Sequence, residues 1–153
     1  MSLRKKIFVV LSASSLLLAS VSVADEKPTV SITKTPWCGC CQVWTDALEN
    51  AGYHVVVSEV SNMTPVRMAN GVTKQEYAGC HTATVEGYTL EGHVPLEAID
   101  KLLAEKPKVK GLTVPGMPMG SLGMGTDPNA KYSVLAFTNM TSKTPEVYME
   151  MGK

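Results

Sequence analysis

The chain as a whole has no excess of either charge, and beyond roughly its first two dozen residues it has no long apolar run and no basic stripe. Lys plus Arg and Asp plus Glu each number 14, giving a formal net charge of +0. Nucleic acid is therefore not an expected partner, because phosphate binding needs clustered Lys and Arg. The N-terminal apolar stretch is too short for a comfortable membrane span and no other segment approaches one, so stable membrane insertion is not expected once that segment is removed. Also missing are a Ser-His-Asp spacing, a phosphate loop, a paired-carboxylate motif, an internal repeat and any low-complexity tract. Common hydrolytic and phosphoryl-transfer chemistries thus have no foothold.

What is present begins with an address. Arg4, Lys5 and Lys6 give a positive start, Ile7 to Leu18 an apolar run, and Ser22-Val23-Ala24 the small residues a signal peptidase reads. Residues 1–24 are expected to be a signal peptide, with an uncleaved N-terminal anchor as the rival reading. The mature chain, 25–153, then works outside the cytoplasm as a single domain. It is long enough to bury a hydrophobic core, so cysteines are not needed merely to make it fold.

Val30 to Lys34 alternates β-branched and polar residues and reads as a strand. Thr35-Pro36-Trp37-Cys38 breaks it. Val43, Trp44, Ala47, Leu48 and Ala51 then recur at helical spacing, and Gly52 serves as the C-terminal cap. Tyr53 to Val60, apolar at its centre, suits a buried strand. Thr64-Pro65 starts a short helix through Met68, ended by Gly71. Thr82 to Val85 and Tyr88 to Leu90 flank a Glu86-Gly87 hairpin turn. Pro95 opens an amphipathic helix with Leu96, Ile99, Leu102 and Leu103 on one face. After Pro107 loop chemistry takes over, and 116–125 is punctuated by Gly and Pro throughout. Tyr132 to Phe137 and Glu146 to Met149 read as closing strands. The alternation predicts an α/β fold, a central mixed sheet flanked by helices.

Three of the four cysteines lie in Cys38-Gly39-Cys40-Cys41, where a strand gives way to a helix; the fourth is Cys80 in Gly79-Cys80-His81-Thr82. A helix N-terminus stabilises thiolate over thiol through its free amides and dipole. Thiolate both binds metal and attacks disulfides, so three readings stand. Two structural disulfides are conceivable, Cys38–Cys41 with Cys40–Cys80 among the pairings, although three thiols in four residues close almost no loop. A redox pair is suggested by Trp37-Cys38-x-x-Cys41, which resembles the Trp-Cys-Gly-Pro-Cys of thioredoxins, with Cys40 in the proline's place. On that alignment His81 replaces their cis-proline and Cys80 abuts the active-site loop. Such a site would make the chain a dithiol or copper oxidoreductase acting through Cys38 and Cys41. The metal reading explains all four sulfurs together. Four thiolates can hold one zinc tetrahedrally or bridge several copper(I) ions. Cys-x-Cys-Cys with one distant cysteine is unusual for zinc, so copper(I) is the expected metal.

Nine methionines are the compositional oddity. Met117, Met119 and Met124 lie in the Gly/Pro loop, where they have no helical stripe to belong to, and thioethers are soft ligands. Met63, Met68, Met140, Met149 and Met151 are assigned to packing or surface. His81 is the best outer ligand or hydrogen-bond partner, whereas His54 and His93 are expected to be structural or exposed.

Taken together, Trp-Cys-Gly-Cys-Cys, Gly-Cys-His-Thr-Ala, Gly-His-Val-Pro and Val-Pro-Gly-Met-Pro-Met-Gly-Ser-Leu-Gly-Met, in that order, resemble the CopG-type periplasmic copper-resistance proteins. The resemblance runs from about Val30 to the end. It implies a thioredoxin-like fold, a periplasmic location and a cysteine-bridged multinuclear copper(I) site on Cys38, Cys40, Cys41 and Cys80. Met117 and Met124 match the family's loop, while Met119 and Leu122 depart from it. It further implies copper ions and other periplasmic copper-handling proteins as partners, and a role in copper tolerance linked to copper redox chemistry.

Overall fold

The computed structural model describes residues 26–152. The signal-peptide expectation for 1–24 lies outside them. No helix among the described residues is long and apolar enough to cross a membrane.

Strand β1 (Thr29–Lys34) buries Val30 and Ile32 and exposes Thr29 and Ser31, as the alternation requires. Helix α1 (Gly39–Asn50) follows and turns Cys41, Trp44, Thr45 and Leu48 inward. Val43, expected on that face, is exposed. The inward stripe runs at i, i+3, i+4, i+7 from Cys41, and Val43 falls outside it. Gly52 ends the helix with φ +90°. Its N–H donates to Glu49 O and that of Tyr53 to Leu48 O, a Schellman closure with Tyr53 and Leu48 both buried beside it.

Strand β2 (His54–Glu59) pairs in parallel with β1 but lies at the edge of the sheet, and Val56 and Val57 face solvent. The expectation of a buried strand there is wrong: the apolar run has no second neighbour and no covering helix on its outer side. Helix α2 (Thr64–Ala69) buries none of its side chains fully, and Gly71 ends it at φ +85°. Strands β3 (Thr82–Val85) and β4 (Tyr88–Gly92) form the expected hairpin. Glu86 and Gly87 both have positive φ, +48° and +82°, which matches a type I′ turn to the right-handed twist of the strands. Helix α3 (Leu96–Glu105) buries Ala98, Ile99 and Leu102.

Strand β5 (Gly111–Val114) corrects the expectation of loop after Pro107. It is four residues long, too short to announce itself by period, yet wholly buried between β4 and the strand β6 (Tyr132–Phe137). Gly111 is needed there, because a Cβ would stand 2.0 Å from the Thr89 carbonyl oxygen. Strand β7 (Glu146–Met151) closes the sheet.

The seven strands run in the order β2-β1-β3-β4-β5-β6-β7, parallel at β1–β2 and β4–β5 and antiparallel elsewhere. The expected α/β class with a mixed sheet is what the chain adopts. Its main core joins Val30, Ile32, Trp44, Leu90, Ile99, Leu102 and Leu112. A smaller cluster gathers Val72, Phe137 and Met140.

Register positions the site. Thr33 pairs with Thr82, Thr82 with Glu91, and Gly92 with Val114. The end of β1, the start of β3 and the ends of β4 and β5 therefore share one margin of the sheet. The cysteine loop, Cys80, His93 and the methionine loop all leave from it.

Leu102 anchors α3 in that core, fully buried. Leu102→Ala is expected to lower unfolding free energy by about 3 kcal/mol, read from the urea midpoint at unchanged slope. A loss below about 1 kcal/mol would show that α3 is not seated as described.

Candidate metal centre

Cys38 is the N-cap residue of α1 and contributes no side-chain cap bond; its N–H donates to Thr35 O. Cys40 and Cys41 lie in the first turn. Cys80 faces them from the segment leading into β3. One sulfur from each of Cys38, Cys40, Cys41 and Cys80 lies within 4.8 Å of all the others. Cys38 and Cys41 are joined as a disulfide, while Cys40 and Cys80 are free thiols. Cys40 Sγ stands 3.6 Å from Cys38 Sγ and 3.8 Å from Cys80 Sγ, and Cys41 Sγ is 3.3 Å from Cys80 Sγ. Of the pairings left open by the sequence, the first bridge is made and the second is a pair of neighbouring thiols.

Two imidazoles complete the arrangement. His93 is fully buried, with Nε2 2.9 Å from Cys80 Sγ and Nδ1 2.6 Å from the Leu122 carbonyl oxygen. A carbonyl only accepts, so Nδ1 carries the proton and Nε2 turns its lone pair toward Cys80. His81 is also buried, its Nδ1 3.6 Å from Cys80 Sγ. Its ring lies 4.3 Å from the Trp44 ring, and Trp44 donates its indole N–H to Val94 O. Cys80, His81 and His93 offer ligand atoms that likewise lie within 4.8 Å of one another.

Burial opposes charge on Cys80 and on both imidazoles. Burial pushes the Cys80 thiol up to about 12, with the Cys40 sulfur adding to the shift. Burial pushes His81 down to about 3, assisted by His93, and lowers His93 as well.

The loop after β5 closes over the site. A Cβ at Gly123 would stand 2.9 Å from Cys40 O and 3.2 Å from His93 Nδ1, so only glycine allows this approach. Met124, next in sequence, is half-buried, whereas Met117 and Met119 are exposed.

Known proteins carry the same architecture. The family described as "Protein of unknown function, DUF411" matches residues 77–124. One solved structure, "Copper resistance protein copG- Form 2", is 33% identical, with TM-score 0.74, and the match covers 82% of this chain and 99% of that one. Its Form 1 structure is 32% identical with the same TM-score, over 84% and 100%. This chain belongs to the CopG copper-resistance family. No curated protein sequence matches it.

The donors in this CopG-type chain fit a soft metal. Four sulfurs and two imidazoles converge, and His81 Nε2 is buried with no hydrogen-bond partner among the described residues. An unpartnered polar atom at such depth is costly, and a lone pair there is free for a metal. The four cysteines named from sequence are brought together, and His81 with them. Met117 and Met124 belong to the loop after β5, Met117 exposed and Met124 half-buried. His93 was expected to be structural or exposed and is instead against Cys80. The hairpin turn carried the missing signal: Thr82 opposite Glu91 extends to Cys80 opposite His93.

Because both rings have depressed pKa values, the unfolded chain takes up protons first as pH falls below about 6.5, the ordinary histidine value. Stability of the metal-free protein should therefore be intact above that pH and decline toward the folded value near 3. His81 alone predicts a loss of about 2 kcal/mol between pH 6.5 and 5, above the carboxylate range. Urea unfolding across that window measures it, and a flat profile would contradict the neutral, buried imidazoles.

Proposed function

We propose that this protein holds copper(I) on the sulfurs of Cys38, Cys40, Cys41 and Cys80, as a cysteine-bridged cluster of several ions, in copper resistance. The observation that carries the reading is the convergence of all four sulfurs within 4.8 Å of one another at a helix N-terminus. Family membership supports it, since the similar solved structures are named as copper resistance proteins. Thiolate softness selects copper(I), and bridging lets a few sulfurs hold several monovalent ions. Zinc is the lesser fit, because Cys40 and Cys41 are adjacent and the imidazoles sit beside only one sulfur. His81 and His93 serve as nitrogen ligands or partners of Cys80. Met124, and beyond it Met117, supply thioethers from the covering loop. The protein works in the periplasm on a thioredoxin-like frame, exchanging copper with other copper-handling proteins.

Two electrons and two protons open the Cys38–Cys41 disulfide to two thiols, and only then are four sulfurs free. A second reading follows from that same bond. A disulfide at the start of α1, beside the exposed Trp37, suits a thiol–disulfide oxidoreductase using Cys38 and Cys41. Copper-free, reduced protein would then turn over a model disulfide; inactivity with reduced cysteines counts against it.

Anaerobic titration of the reduced chain with copper(I) should saturate above one ion per chain. Cys80→Ser should lower affinity by at least about tenfold. Since Cys80 is protonated at neutral pH, binding must displace its proton, so affinity should rise by about tenfold or more per pH unit from 6 to 8. Saturation below one copper per chain would sink the proposal.

A further inference from the structure

Cys80 is held by a device that no metal-binding role absorbs. Beneath it lies Glu91 of β4, fully buried. Its Oε1 accepts from the Gly79 N–H at 2.8 Å and from Arg67 Nε at 3.1 Å. Its Oε2 accepts from the Thr82 hydroxyl at 2.7 Å. Arg67, reaching up from α2, also donates from Nη2 to the Gly79 carbonyl at 2.6 Å. One carboxylate thus grips the residue before Cys80 and the residue after His81, and one guanidinium grips the carbonyl of that same Gly79. Backbone packing completes the hold. A Cβ at Gly79 would stand 2.3 Å from Gly92 Cα, and the Gly92 N–H donates to His81 O at 2.9 Å.

The direction of these bonds is informative. A buried ion pair that only joined α2 to the sheet would need no contact with the Gly79 peptide, and a hydrophobic pair would do that work at least as well. Here each of the three hydrogen bonds the carboxylate accepts comes from the thiol-bearing segment or from the arginine that also holds it. Helix α2, which buries none of its side chains fully, gains a purpose as the carrier of Arg67. The need is electrostatic. Four sulfurs that become thiolates together repel one another, so the one contributed from outside the helix must be fixed against retreat.

We propose that Glu91, fixed by Arg67, is a positioning residue that clamps the Gly79–Thr82 segment and sets the Cys80 thiol against Cys40 and Cys41. Its consequence for metal binding rests on the copper reading above; the clamp itself does not.

The mature chain and four variants test it: Thr82→Val, Thr82→Ser, Glu91→Gln and, outside the clamp, Leu102→Ala. The first readout needs no metal. With the Cys38–Cys41 disulfide closed, the rate of Cys80 alkylation by iodoacetamide at fixed pH is followed by peptide mass. Thr82→Val should raise it at least about tenfold by freeing the segment locally. Glu91→Gln should raise it too, there also by removing a carboxylate charge that disfavours the Cys80 thiolate. Thr82→Ser, which keeps the hydroxyl, and Leu102→Ala should stay near the wild-type rate. The second readout is copper(I) affinity of the reduced chains. Thr82→Val and Glu91→Gln should lose about ten- to a hundredfold, with the copper–thiolate absorption moving toward that of Cys80→Ser. Should Glu91→Gln not fold, Thr82→Val against Thr82→Ser decides. Wild-type alkylation rates in Thr82→Val and Glu91→Gln, or an equal rise in Leu102→Ala, would overturn the clamp. A wild-type chain that takes up no copper would overturn the copper reading while leaving the alkylation contrast to judge the clamp.

Discussion

The antiparallel register between β1 and β3 is the constraint on which the site depends. Pairing Thr33 with Thr82 sets the loop that leaves β1 directly against the segment that enters β3. Sulfurs far apart in sequence are thereby neighbours before any side chain chooses a rotamer. The next register steps, Thr82 with Glu91 and Gly92 with Val114, bring His93 and the methionine loop to the same margin. Slippage of β3 by one residue would exchange its faces, turning Thr82 away from Glu91 and Ala83 out of the core. Site and core therefore specify the same register.

The chemistry of the margin is that of a cup whose buried groups resist charge. Burial opposes charge on Cys80, His81 and His93 alike. Cys40 and Cys41 sit instead in the first turn of α1. A soft cation would resolve the conflict by supplying positive charge beside these buried groups, so burial and metal binding are compatible here. The Leu122 carbonyl contributes by fixing the His93 tautomer, the usual service of an outer partner to a ligating imidazole.

Much of this was legible in the sequence, for identifiable reasons. Cys38, Cys40 and Cys41 announce themselves by spacing, and Gly52 and Glu86-Gly87 by the positive φ their positions demand. Strands β1 and β3 declare themselves by their β-branched residues, and β4 by the Glu86-Gly87 turn before it. What escaped depends on tertiary context. Val56 and Val57 read as buried because an apolar run does not say whether a neighbouring strand will cover it. Strand β5 is too short for a period. Glu91 looks like any hairpin carboxylate until Arg67, 24 residues away, closes on it. His93 was hidden by the Val94-Pro95 that follows, which drew attention to the coming helix rather than to the strand behind it.

The central claim is that four cysteine sulfurs share copper(I). X-ray absorption at the copper edge of the reduced, copper-loaded chain tests it most directly. The account predicts an edge typical of copper(I), an inner shell dominated by sulfur, and copper–copper scattering from bridged ions. An inner shell of nitrogen and oxygen without sulfur would contradict it.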